Sequence, residues 1–281
     1  MERERQNLEP AQRYYLRIHL YHRLLHGLLM ASFLGLAATG MPLRFSDLAW
    51  AVGVAHAMGG FGAILFFHKS FAFLLTLCFF LHIASVFYLA FIRGEVGVFW
   101  GSASMVPQPR DFVEMFQHFR WFFGMGPKPQ FGRFTYWEKF DYWAVFWGMA
   151  IIGITGYVMW FSSFFGSFLP GWLFNITLLI HADEALLAVW FIFSIHFFNS
   201  HFRPEKFPMD LVIFTGRLSE RELQEERPAE YQELLEEGSL ESIRTDSPPL
   251  WLRNFGRIIG FSVVVTGFLL FGLTLLAFLR E

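Results

Sequence analysis

Residues 178–216, LLIHADEALLAVWFIFSIHFFNSHFRPEKFPMDLVIFTG, decide how the rest of the chain is read. The first part belongs to an apolar run at about 174–199, long enough to cross a bilayer, since ~20 residues rising 1.5 Å each cover ~30 Å of hydrocarbon. It nevertheless carries His181 and His196. Ionisable side chains in hydrocarbon are costly and normally face a bundle interior, so each is a functional candidate by default. Four further apolar stretches lie at roughly 24–45, 61–92, 141–163 and 256–279. In lipid the backbone must satisfy its own hydrogen bonds, so runs of this length are helices. The expected fold is an all-α integral membrane bundle of about five transmembrane helices. The Ala- and Gly-rich stretch 49–67 reads either as a sixth span or as a lead-in to the second helix.

Composition points the same way. Of 281 residues, 54% are hydrophobic, 20% aromatic and only 16% charged, against about 25% charged in an average globular domain. A soluble single domain is excluded. The net charge of −2 offers no basic excess for nucleic acid. The lone cysteine, Cys78, excludes a disulfide framework, a cluster held by several thiolates, and covalent haem, which needs Cys-x-x-Cys-His. The first 23 residues are polar and Arg-rich, with no apolar core, so no cleavable signal peptide is expected. No internal repeat stands out.

Basic residues set the orientation. Residues 1–23, 93–140 and 200–257 hold five, six and eight Lys or Arg, together 19 of 22. With five spans all three segments share one side, which the positive-inside rule makes cytoplasmic. The N-terminus is then inside and the short C-terminus outside. Three regions are expected: a transmembrane domain over 1–202, a charged cytoplasmic segment over 203–255, and a C-terminal transmembrane helix over 256–281. Charge spacing in RLSERELQEERPAEYQELLEEG suggests one or two short surface helices.

The histidine spacing carries the chemistry. His68 and His82 are 14 apart on the second span, and His181 and His196 are 15 apart on the fourth. These are rises of about 21 and 22 Å, and at 100° per residue each pair returns to nearly one face. The two spans run in the same direction, so His68 is level with His181 near the outer surface and His82 with His196 near the inner one. Two stacked bis-imidazole sites result. Haem iron takes two axial nitrogens from opposite faces, and a ~20 Å spacing suits two haems passing electrons across a membrane. A zinc or copper site would cluster its ligands instead. Gly59, Gly60, Gly62, Ala63 and Ala72 around His68, and Ala182, Ala185 and Ala188 after His181, leave room for a flat macrocycle or simply for helix packing. His26, near the inner surface in RLLHG, competes with His82 as inner ligand, and both would be used if a third haem were present. His22 reads as reaching the headgroups. His19, His56 and His118 read as wet, non-ligating residues.

At these residues the chain resembles the di-haem cytochrome b membrane subunits of respiratory quinone oxidoreductases, of the formate dehydrogenase gamma type, and cytochrome b subunits found beside multihaem c cytochromes. The matching stretches are RLLHGLLMASFLGLAATGMPL, the His68–His82 segment, YWEKFDYWAVFWGMAIIGITGYVMW, and the 178–216 stretch, covering roughly 13–235. The resemblance implies a four-helix haem-binding core plus one extra helix. It also implies electrons moving between a quinone pool and a partner across the membrane, with menaquinone the expected quinone. In the formate dehydrogenase type the outer ligands map to His68 and His181 and the inner ones to His26 and His196. This chain adds His82 at the position used by bc-type cytochromes.

A quinone site needs hydrogen-bonding and protonatable groups beside a haem. The inner ends of the spans offer Tyr136, Glu138, Lys139, Asp141, Asn199 and His201; near the outer pair, Asp183 and Glu184 either carry protons or cap a helix N-terminus. Arg23, Arg203 and Lys206 could pair with haem propionates or simply anchor the inner surface. The reading is thus a haem b electron-transfer subunit of a hetero-oligomeric respiratory complex in the bacterial inner membrane, without a catalytic motif of its own. Its partner would be a periplasmic multihaem cytochrome c or another redox subunit. The competing readings are a haem-free proton or ion transporter and a structural anchor for a peripheral redox enzyme.

Overall fold

The computed structural model describes residues 12–280. The first 11 residues, which hold two of the basic residues counted above, lie outside the described residues. The fold is all-α, with a small three-stranded sheet. In chain order it comprises β1 (Tyr14–Leu16), α1 (Leu20–Arg44), α2 (Ala49–Ala57), α3 (Phe61–Ile92), α4 (Pro109–Phe122), α5 (Tyr136–Trp160), α6 (Gly171–Phe202), β2 (Arg217–Ser219), α7 (Glu220–Glu226), α8 (Pro228–Glu236), β3 (Arg244–Thr245) and α9 (Leu250–Phe278). Five of these, α1, α3, α5, α6 and α9, are long and apolar enough to cross a membrane. The stretch 49–67 is therefore a lead-in and not a sixth span: α2 ends at Ala57, and Gly59 and Gly60 turn the chain at positive φ before α3 starts.

Helix boundaries differ from the hydropathy reading where polar residues open a span. The third span starts at Tyr136 and not at 141, because Thr135 caps it: Thr135 N donates to Glu138 Oε2 at 2.8 Å, and Glu138 N donates back to Thr135 Oγ1 at 3.4 Å. This Thr-x-x-Glu capping box satisfies two otherwise orphaned amides. The fifth span likewise starts at Leu250, six residues earlier than read.

The chain divides into two compact units, and the division differs from the expected 1–202, 203–255 and 256–281. One unit joins the described part of Met1–Arg23 to Val86–Phe140 and Asp210–Arg257. Its sheet explains why the N-terminal segment belongs with the charged segment: β1 is central, pairing antiparallel with β2 on one side and β3 on the other. Tyr15, Val212, Leu218, Leu223 and Leu240 form the core there. Glu230 receives Arg17 Nη1 and Arg133 Nη1, both at 2.7 Å, while Arg133 Nη2 donates to the Arg17 carbonyl. Burial, and then the adjacent Arg17, pull the Arg133 guanidinium below its usual pKa.

The other unit contains Leu24–Ser85, Asp141–Met209 and Ile258–Glu281. Its buried core draws on α1 (Ala37, Met41), α6 (Leu186, Val189, Phe193, Phe197) and α9 (Val264, Leu270, Ala277). A Cβ on Gly267 would stand 2.7 Å from the Phe193 ring, so α9 packs closely against α6. Trp190 Nε1 donates to Thr274 Oγ1 at 3.0 Å across the same pair.

Candidate functional site

The His68–His181 pair is built from four helices. The imidazoles of His68 on α3 and His181 on α6 lie edge-on to one another, with ring centroids 6.3 Å apart and planes at 77°. This contact brings the two residues level, as two co-directional spans require. Each ring is held from behind by a neighbouring helix. His68 Nδ1 lies 3.0 Å from Thr39 Oγ1 on α1, whose own proton goes to the Gly35 carbonyl at 2.6 Å. His181 Nδ1 lies 3.0 Å from the Ile152 carbonyl and 3.2 Å from Thr155 Oγ1 on α5. A carbonyl only accepts, so the His181 proton sits on Nδ1; the donating Thr39 hydroxyl asks the same of His68. Nε2 of both rings then keeps its lone pair, the form in which imidazole binds a metal.

A glycine follows each threonine. A Cβ on Gly40 would come within 3.0 Å of the His68 ring, and one on Gly156 within 3.0 Å of the His181 ring. The pairs Thr39-Gly40 and Thr155-Gly156 are thus one device used twice, each seating an imidazole from the adjacent helix. The sequence reading found no repeat, because two dipeptides 116 residues apart are meaningful only once each lies against a histidine.

Two imidazoles that bind one ion from opposite sides, each through a nitrogen about 2 Å away, bring their ring centres to roughly 6 Å. The observed 6.3 Å matches that spacing. Among the described residues no group of three or more His, Cys, Asp or Glu is placed to hold a metal ion.

At the other end of the bundle, two consecutive residues of α5 take the remaining histidines. Asp141 Oδ2 accepts from His196 Nδ1 at 3.2 Å, which again leaves His196 Nε2 bare. Tyr142 Oη lies 2.8 Å from His82 Nε2. The ring nitrogen that His82 would need for ligation is thus engaged with a tyrosine. His196 and His82 are thus taken by neighbouring residues of one helix, Asp141 and Tyr142. The 15-residue gap between His181 and His196 has a physical cause: Ile192–His196 is a π-helical turn, which absorbs one extra residue and returns His196 toward the face of His181.

Several sequence candidates have other employment. Tyr136 Oη bonds His118 Nδ1 at 3.0 Å, Glu138 accepts from Arg227 at 2.6 Å, and Lys139 Nζ pairs with Asp111 at 2.9 Å in a buried bridge. His118, expected to be wet, is buried against Phe122, Trp121 and Trp137. Asp183 and Glu184 do not cap a helix, because α6 begins at Gly171 after Pro170. Asp183 instead pairs with Arg44 at 3.1 Å, and Glu184 is half-buried. Arg23 donates to the Phe214 carbonyl and Arg203 Nε to the Asn199 carbonyl at 2.8 Å; Lys206 is buried. Among the described residues, the buried side-chain atoms without a hydrogen-bond partner include Asp141 Oδ1 and Trp50 Nε1. Trp50, shortly after the end of α1, was not singled out from sequence, since an indole near the end of a span is ordinary.

No family model matches the sequence, and no curated protein matches it.

Proposed function

We propose that this chain is a membrane haem b electron-transfer subunit of a respiratory quinone oxidoreductase complex. The observation that carries the reading is the His68–His181 pair: two opposed imidazoles, tautomers fixed, at the spacing of two axial ligands. His68 and His181 would hold the outer haem, and His26 and His196 the inner one. Bound haem iron supplies reversible one-electron transfer.

The protein's own contribution is positional. Thr39 and the Ile152 carbonyl fix the protons of the outer rings, and Gly40 and Gly156 let those rings approach their helices. Asp141 orients the His196 ring through its Nδ1, as carboxylates behind metal-bound imidazoles do. Its buried second oxygen is an acceptor awaiting a donor, which suits the hydroxyl of a quinol, with Asn199 and His201 on the same end of α6. Arg44 and Trp50, after Gly40 on the outer side, suit propionate carboxylates. The distribution of basic residues supports a bacterial cytoplasmic membrane with the N-terminus inside. Electrons would pass between a quinone, menaquinone in this reading, and a periplasmic partner such as a multihaem cytochrome c, within a hetero-oligomeric complex.

The inner assignment is tested with two single variants, each assayed for haem per purified chain. His26→Ala is expected to lose the inner haem, and His82→Ala to keep haem content unchanged. Loss of haem in His82→Ala with full retention in His26→Ala would reverse the assignment. Reduction of the wild-type b-type spectrum by a menaquinol analogue in vesicles tests the quinone reading, and no reduction would count against it.

A further inference from the structure

Helix α4 is inside out. In a helix lying in water the apolar face turns inward. In α4 the residues turned inward are Asp111, Glu114 and His118, each more than nine-tenths buried. They recur at i, i+3 and i+7, one face of the helix, and each has its partner: Lys139 for Asp111, Arg110 for Glu114, and Tyr136 for His118. The outward face carries Phe112, Phe116 and Phe119, followed by Phe123, at i, i+4, i+7 and i+11, and every one is more than half exposed.

The exposed charges of α4 are both cationic, Arg110 and Arg120, because its two carboxylates are buried. The connector that contains α4 is tied at both ends to helices long enough to span a membrane, α3 ending at Ile92 and α5 starting at Tyr136. An exposed aromatic chain leads from the first of these into the connector: Phe87 to Phe91 at 4.6 Å, then Phe91 to Phe99 at 6.2 Å.

We infer that α4 is an interfacial helix, lying in the plane of the membrane with its phenylalanine face among the acyl chains and its arginines at anionic headgroups. Phenylalanine on one face with arginine at its margins is the pattern of helices that lie in an interface and do not cross it. A contiguous apolar surface of this kind on a tethered segment needs an apolar solvent, and phospholipid is the one both ends of the connector already reach. The inference does not depend on haem.

The test places a nitroxide on α4 in the full chain, in nanodiscs containing anionic phospholipid. In a Cys78→Ser background, labels are attached at Phe116→Cys, at Phe80→Cys on the exposed face of α3 as a lipid standard, and at Glu237→Cys as a water standard. Collision with oxygen and with a water-soluble nickel chelate is compared at each site. The label at 116 is expected to favour oxygen over nickel, as at 80. A water-like profile, as at 237, would overturn the inference, as would a label shielded from both reagents, the mark of a covering protein surface. A second measurement keeps the native chain: a photoreactive acyl-chain phospholipid should label the segment 111–120, and absence of label there alongside labelled α3 would also overturn it.

Discussion

Replacing His181 with Ala is expected to remove one haem from the purified protein and leave the other. The pairing with His68 is direct, and Nδ1 of each ring is already satisfied by its own threonine or carbonyl, so neither ring has a second task that would mask the loss. His68→Ala should behave alike. The double variant should be no worse than either single one, because both imidazoles would serve one iron and effects of residues acting as a unit do not add. Haem content would fall from about two per chain to about one in all three variants. A low-spin spectrum at full content in His181→Ala would show that the 6.3 Å spacing has another cause.

The largest expected change in stability is at Glu230. Its carboxylate, almost wholly buried, holds Arg17 and Arg133 together, and its backbone sits in the first turn of α8, where a negative charge also meets the helix dipole. Glu230→Ala leaves two guanidinium groups close together without the carboxylate they both bond. Breaking a buried pair in this way costs about 3–5 kcal/mol. Hydrogen exchange at β1, whose Arg17 end is tied to Glu230, should report that loss of protection. A change below about 1 kcal/mol, the range of surface ion pairs, would mean that the cluster is solvated. Glu230→Gln should fall between the two, keeping hydrogen bonds without the charge.

These two sites also mark how far the sequence could be read. The bundle was legible because bilayer thickness imposes a length, and five runs met it. The outer pair was legible because two histidines on co-directional spans must be level, whatever the packing. The cues to Thr39, Gly40, Thr155 and Gly156 were not, since Thr-Gly in an apolar run is ordinary until an imidazole is found against it. The span boundary at Tyr136 was written in the sequence as TYWE, a capping signature, but hydropathy discarded Glu138 and Lys139 as too polar for a span.

The inner end was harder for a different reason. His26 and His82 were both candidates by position, and the contact of His82 with Tyr142 is visible only in three dimensions. The extra residue in the fourth-span gap looked like a departure in register and is absorbed by a π-helical turn, which has no reliable sequence sign. The joining of the N-terminal strand to the charged segment rests on pairing across about 200 residues, and sequence distance of that kind leaves no local trace. The inverted helix α4 was readable in principle, since Phe and acidic residues alternate at helical spacing, but which face turned inward was not.

The central claim is that opposed imidazoles on α3 and α6 hold iron porphyrin. The most direct measurement is a pyridine haemochrome determination on the purified full-length chain, paired with low-temperature electron paramagnetic resonance. About two b-type haems per chain is the expected result, with low-spin signals of bis-histidine type whose highly anisotropic form reflects the steep angle between the His68 and His181 planes. A chain expressed with ample haem, folded in its membrane and carrying none would contradict it.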